Sequence, residues 1–204
     1  MTEQNVAPDY RAFLGARCTI PTPWGGMTME SVSFTPAADG DLVATLGDPF
    51  TADSPLVRIH SECVFAEAFA SEFCDCALQL QMALSRMRDE QCGILFYLRF
   101  DGRGAGLAAK VAATALEIDE GLDTYESRIR IGVDPDDREY DRIGQYLSDR
   151  GVTRMRLLTN NPTKLAHLRV KVPDTVAEPL RVLDPSHWVE TLYETKHRKF
   201  GHFT

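Results

Sequence analysis

The stretch Gly93-Ile94-Leu95-Phe96-Tyr97-Leu98 is continuously apolar over the length of one strand. A strand that is apolar on both faces belongs in a sheet covered by helices on each side. The next segment narrows the fold further. Arg99 to Gly106 carries glycine at 102, 104 and 106, and Leu107, Val111, Ala115 and Ile118 then recur at helical spacing until Gly121, which suits the position just past a helix end. Strand, glycine loop and helix in that order form one unit of an α/β fold. Leu56–His60 reads as another strand, with Arg58 and His60 on one face and Ile59 on the other. Leu80, Ala83, Leu84 and Met87 predict a helix from Cys76 to Gln91, and Tyr140, Ile143 and Leu147 predict one from Asp137 to Arg150. Arg154–Leu158 reads as a strand, Pro162 suits the first turn of a helix, and Asp184-Pro185 opens a last helix carrying Trp188 and Leu192. Met27–Phe34 and Asp41–Leu46 are further strands, entered through an extended turn at Pro21-Thr22-Pro23-Trp24-Gly25-Gly26. The expectation is one α/β domain over 18–204, a single mixed sheet with flanking helices, preceded by an N-terminal arm over 1–17.

A chain of 204 residues can build such a core without disulfides. Its five cysteines are an odd number and Met1-Thr2-Glu3-Gln4-Asn5 is polar, which together predict a reducing, cytoplasmic setting. No apolar stretch approaches the roughly 20 residues of a membrane span. A net charge of −8 argues against general affinity for nucleic acid, which rests on clustered basic residues. The run Lys196-His197-Arg198-Lys199 reads as a solvated helix end that complements the dipole.

In a reducing compartment, clustered cysteines point to metal or catalysis. Cys63, Cys74 and Cys76 stand as C-x10-C-x-C directly after the strand that ends at His60. Thiolates suit zinc, and three protein ligands leave a fourth position for a reactive water. His60 is a candidate fourth ligand that would close the site. The H-x-E pair of His60 and Glu62 also admits a deaminase, although the C-x-C spacing and the lack of a preceding proline speak against it. Gly102-x-Gly104-x-Gly106 with Arg103 can cradle phosphate or simply turn the chain, and Thr159 and Lys164 can hold phosphate oxygens or cap a helix. Asp136 and Glu139 have the spacing of a capping box. Arg138 is left unexplained by that box, because a cation in a first helical turn opposes the dipole, so it is a candidate phosphate-facing group beside Asp136.

These motifs together resemble GTP cyclohydrolase II, in that family's order. The resemblance is carried by Arg58-Ile59-His60-Ser61-Glu62-Cys63, Cys74-Asp75-Cys76, Gln79-Leu80, Gly102-Arg103-x-x-Gly106-Leu107, Asp136-x-Arg138, Leu157-Leu158-Thr159-Asn160-Asn161-Pro162-x-Lys164 and Thr195-Lys196-x-x-Lys199-x-Gly201-His202. It implies a dimeric zinc hydrolase of riboflavin biosynthesis. Such an enzyme opens the imidazole ring of GTP, releases formate and pyrophosphate, and leaves a diaminopyrimidine ribonucleotide. It further implies that Cys63, Cys74 and Cys76 hold zinc, whose water attacks C8 of the purine. Arg138 would be the nucleophile at the α-phosphate and Asp136 the proton acceptor. Arg58, His60, Ser61, Glu62, Gln79, Asp101, Gly102, Arg103, Thr124, Thr159 and Lys164 would line the nucleotide site, with magnesium on the pyrophosphate.

The chain departs from the family pattern at several of these places. Phe73 stands where an arginine is usual, Leu98-Arg99-Phe100-Asp101-Gly102 replaces His-Arg-Gln-Glu-Gly, and Phe65-Ala66-Glu67 replaces Thr-Gly-Asp. A tyrosine of the helix after the glycine loop is absent, its place falling at Thr114 or Ala115. Losing hydrogen-bonding groups from a base-reading pocket changes substrate or outcome. Beside full GTP turnover stand two alternatives: a diverged paralogue that stops at the formamidopyrimidine or uses another nucleotide, and a non-catalytic zinc and nucleotide binding regulator.

Overall fold

The computed structural model describes residues 10–35 and 40–203. Its strands are β1 (Arg17–Thr22), β2 (Gly25–Val32), β3 (Asp41–Leu46), β4 (Leu56–Ser61), β5 (Gly93–Leu98), β6 (Arg154–Leu158) and β7 (Asp174–Glu178). They form one mixed sheet in the order β1-β2-β3-β5-β4-β6-β7. The β1, β2, β3 and β5 strands pair antiparallel, whereas β5, β4, β6 and β7 run parallel. The helices are α1 (Val64–Phe69), α2 (Cys76–Glu90), α3 (Gly106–Asp119), α4 (Glu126–Arg130), α5 (Asp141–Asp149), α6 (Pro162–Arg169) and α7 (His187–Phe200).

Alternation along β4 sorts the core into two layers. Val57 and Ile59 join Ile94, Phe96, Leu98 and Leu157 under Ile143 and Leu147 of α5 and Leu165 and Leu168 of α6. Leu56, Leu95 and Leu158 face the other way, against Ala83, Leu84 and Met87 of α2. Helices thus cover both faces of the parallel region, as the apolar run of β5 requires. The parallel strands all end on one side of the molecule, where α/β sheets place ligands.

Several elements depart from the expectation. The strand expected over Met27–Phe34 occupies Gly25–Val32, because the hairpin turn at Pro23 and Trp24 sets its register against β1. That partner strand begins at Arg17, inside the expected arm, whose residues 1–9 lie outside the described residues. The strand β7 and the short helices α1 and α4 had no sequence assignment. The helix expected from Asp137 starts only at Asp141, and the capping box of Asp136 and Glu139 does not form. Residues 134–140 instead form a local turn, with Asp136 N donating to Asp134 Oδ1 at 2.8 Å, and meet the glycine loop where Asp137 N donates to Arg103 O at 3.2 Å. The last helix is capped by Ser186, whose Oγ accepts from Val189 N, so it starts two residues beyond Pro185.

Leu157 lies fully buried in β6. Leu157→Ala leaves a cavity beneath α5 and α6 and is expected to cost about 2–5 kcal/mol in urea unfolding. Val176→Ala, on the exposed side of β7, is expected to stay within about 0.5 kcal/mol of the parent.

Candidate active site

The three inner parallel strands deliver their C-terminal residues to one cavity of about 990 Å³. From β4 come Ser61, Glu62 and Cys63, from β5 come Asp101, Gly102 and Arg103, and from β6 come Thr159, Asn161 and Lys164. The α7 helix walls the opposite side with Trp188, Tyr193, Lys196 and Phe200. Every expected site residue, Arg58, His60, Gln79, Thr124, Cys74, Cys76, Asp136 and Arg138 included, lines this cavity.

The three thiols converge, their sulfurs lying within 4.8 Å of one another, with Cys63 and Cys74 3.5 Å apart. Hydrogen bonds from Cys74 and Cys76 pull the Cys63 thiol far down against its burial, aided by Lys110, whose Nζ lies 3.0 Å from Cys63 Sγ. Donation to Cys63, together with burial, pushes Cys74 up to about 11. The cluster therefore favours a thiolate at Cys63 with the other two sulfurs beside it, and a soft dication can take the place of thiol protons there. Three sulfurs at this separation suit one zinc ion with a fourth position left for solvent or substrate.

His60 does not join this cluster. Its Nε2 pairs with Glu67 Oε1 at 2.9 Å and its ring stacks on Tyr97, so neither the closed four-ligand site nor a deaminase-type histidine ligand is formed. Glu67 also accepts from Cys63 N at 2.8 Å and from Tyr97 Oη at 2.7 Å, which fixes the backbone at the first of the three sulfurs.

On the sheet side, Arg58 is buried and its Nη1 donates to Leu158 O at 2.9 Å, its Nη2 to Gln79 Oε1 at 2.8 Å. Gln79 passes the contact to Asp75 Oδ2, which also accepts from Tyr193 Oη at 2.6 Å. Arg58 Nε, His60 Nδ1 and Asp75 Oδ1 are buried without a hydrogen-bond partner among the described residues, and all three residues border the cavity. Unsatisfied buried polar atoms concentrated in one place mark a site whose ligand completes them.

Arg138 meets Asp136 through two hydrogen bonds, Nε to Oδ1 at 2.6 Å and Nη2 to Oδ2 at 2.5 Å, while Nη1 reaches Ser61 Oγ at 3.2 Å. Burial works against the Asp136 charge, but the hydrogen bonds and charge of Arg138 outweigh it and hold the carboxyl below its usual range. Burial also opposes the Arg138 charge, and Tyr140 and Asp136 together raise its pKa nonetheless. The pair rests as guanidinium and carboxylate. Arg138 is explained by this pairing rather than by a helix terminus.

The glycine loop is more than a plain turn. Gly102, Arg103 and Gly104 have φ of 63°, 60° and 98°, and an arginine in the left-handed region is a strained choice that sites tolerate for placement. Arg103 sits over the Phe200 ring, 4.6 Å from its centroid, with its backbone oxygen holding Asp137. Lys164 Nζ is buried and donates to Ile59 O at 2.9 Å, and desolvation, then Arg58 and Arg138, drive its pKa down. Thr159 Oγ1 accepts from Asn161 N, and Asn161 caps α6, so the cap-like reading of this motif holds although its residues border the cavity.

The comparisons with known proteins agree with this geometry. The family model of GTP cyclohydrolase II matches residues 14–176. The chain belongs to the GTP cyclohydrolase II family. It is 39% identical to "GTP cyclohydrolase-2" of Tolumonas auensis over 93% of this chain and 95% of that protein. It is 37% identical to "GTP cyclohydrolase-2" of Shewanella amazonensis over 92% and 91%. It is 41% identical to "Riboflavin biosynthesis protein RibBA" of Bacillus velezensis over 90% of this chain, and spans about half of that relative, 46%.

Within the family frame, sequence reasoning missed Lys110, Asp75, Tyr193 and Arg128, all of which border the cavity. Only Asp75, flanked by two cysteines, carried a local signal. Lys110 bridges Cys63 and Asp101, bonding Asp101 Oδ1 at 2.6 Å, from a helix with no motif of its own. For zinc held by this cluster, Lys110→Met is expected to weaken affinity about 10–100-fold, read by competition with a chelating dye. Cys74→Ser takes one of the three sulfurs from the cluster and, for zinc held there, is expected to abolish stoichiometric metal, read by elemental analysis.

Proposed function

We propose that this chain is a zinc-dependent GTP cyclohydrolase II that opens the imidazole ring of GTP with release of formate and pyrophosphate, in riboflavin biosynthesis. The observation that carries this reading is the presence in one cavity of the three-cysteine cluster, the Asp136–Arg138 pair and the Gly102–Arg103 loop. Zinc held by Cys63, Cys74 and Cys76 would supply Lewis-acid activation of water beside the purine ring. Arg58, His60, Glu62 and Gln79 would orient the base above the sheet ends, and Lys164 and Thr159 would border the sugar and phosphates from β6.

Arg138 would meet the α-phosphate as a cation, since its proton is held tightly. A nucleophilic role requires Asp136 to accept that proton along the existing 2.6 Å contact. Magnesium would accompany the departing pyrophosphate. Family membership supports a homodimer, and no described helix is long and apolar enough to cross a membrane; a cytoplasmic location is proposed on the same footing.

One observation favours the diverged variant of this reading. Thr114, and not Ala115, borders the cavity where the family tyrosine falls, and Phe73 turns to Trp188, with ring centroids 5.1 Å apart, in place of an arginine. Both changes remove polar reach from the wall beside the cysteines. Such a pocket fits an enzyme that stops at the formamidopyrimidine or accepts another nucleotide.

The deciding experiment incubates zinc-loaded protein with GTP and magnesium and follows formate, pyrophosphate and nucleotide mass together. Formate and pyrophosphate in equal amounts are expected for full turnover. A product heavier by one water, without formate, assigns the arrested reaction, and unchanged GTP with turnover of another nucleotide rejects GTP as substrate. Arg138→Ala is expected to abolish pyrophosphate release while leaving zinc content unchanged.

A further inference from the structure

Arg128 bears none of the roles assigned to the other cavity residues, yet it lines the same cavity. It is carried by α4, a five-residue helix without a sequence motif, and is only 7% exposed. Its Nη1 donates to Thr124 O and to Thr124 Oγ1, both at 2.9 Å, and lies 3.5 Å from Glu117 Oε1. The Nε and Nη2 groups donate to no protein atom among the described residues.

A purely structural reading would make Arg128 the partner of Glu117. The geometry is poor for that. Buried arginine–carboxylate pairs favour two short parallel bonds, whereas Glu117 Oε1 stands at 3.5 Å and receives its short bond, 2.7 Å, from Ser127 Oγ. Arg128 is instead anchored through one nitrogen to neutral oxygens of Thr124, which leaves its charge poorly offset and two donor groups unspent. Arg103 and Arg138 line the same cavity. Desolvation comes first in lowering the Arg103 pKa to about 9, and the charges of Arg128 and then Arg138 come next. The acids that act back on Arg128 are Glu117, Asp136 and Asp101, and Asp136 and Asp101 are already bonded to Arg138 and Lys110. Arg138 is offset by its pair with Asp136, whereas Arg103 and Arg128 are desolvated cations that an anion with spread charge would offset further.

We infer that Arg128 is a further substrate-binding residue that, with Arg103, takes the outer phosphates of a nucleoside polyphosphate, beyond the phosphate that Arg138 meets. Thr124 then acts in part through Arg128, holding the guanidinium so that Nε and Nη2 face the phosphate chain. The residue would set the preference for a triphosphate over a monophosphate, a discrimination that a bidentate guanidinium is suited to make. This inference rests on the nucleotide reading of the cavity.

The test titrates zinc-loaded protein with inorganic triphosphate, GTP and GMP by calorimetry, for the parent, R128Q and the conservative R128K. R128Q is expected to weaken inorganic triphosphate and GTP by about tenfold or more and to leave GMP affinity and zinc content unchanged. R130Q, at an exposed arginine paired with Glu120, serves as the control and is expected to match the parent. Parent-like triphosphate affinity in a folded R128Q overturns the inference, as does an equal loss for GMP, which would make the residue merely structural. Should R128Q fail to fold, the Nε–H resonance of Arg128 in the parent protein, assigned with R128K, must move on adding inorganic triphosphate and stay put with guanosine; no movement also overturns it. Failure of the enzymatic reading is separable: triphosphate binding that depends on Arg128 without GTP turnover leaves this inference standing and removes the other.

Discussion

The structure depends on how one buried guanidinium is held, with two of its three nitrogens bonded inside the protein. Arg58 projects from the central strand β4 into the layer beneath α2, where removing its charge from water is costly unless hydrogen bonds replace the lost solvation. It binds the end of β6 through Leu158 O and the first turn of α2 through Gln79. Gln79 holds Asp75, between the two later cysteines, and Asp75 holds Tyr193 of α7. One polar chain therefore ties the sheet centre, the sulfur loop and the helix that walls the cavity. Any shift of β4 against β6 would be felt at the cysteines.

The same economy explains why the site's charges are arranged as they are. Asp136 is spent on Arg138, Asp101 on Lys110, Glu62 on Arg99 and Glu67 on His60. The first three of these acids neutralise cations and Glu67 holds a His60 whose burial disfavours its charge, while the donors left over on Arg128 and the orphaned atoms of Arg58, His60 and Asp75 are those a ligand can complete. The aromatic contact of Phe73 with Trp188 closes the wall near the cysteines with apolar surface, so the chain combines a retained three-cysteine cluster with an altered approach to it.

Much of the parallel region was legible because its elements are set by periods. The apolar run of β5 lies on its predicted residues, Arg58 and Ile59 fall on opposite faces of β4, and α2 and β6 lie where spacing puts them. The failures have local causes. The Asp136 to Glu139 box was a sound helix-start pattern overridden by contacts with the glycine loop, and β7 was missed because its pattern is weak at a sheet edge. The β1 strand, exposed along most of its length, carries no buried period to detect.

The sequence by itself determined the chemistry available: three soft sulfur donors at ligand spacing, a glycine loop bearing an arginine, and an Asp-x-Arg pair. Residue type and short spacing suffice for these because each acts within a few residues of backbone. Only the tertiary structure decided that His60 turns to Glu67 and away from the sulfurs, that Arg138 faces Ser61 across 77 positions of sequence, and that Lys110 and Arg128 enter the cavity at all. Those outcomes depend on which buried charges find partners from distant segments, and that competition is settled by the packing of strands and helices, which no local pattern encodes.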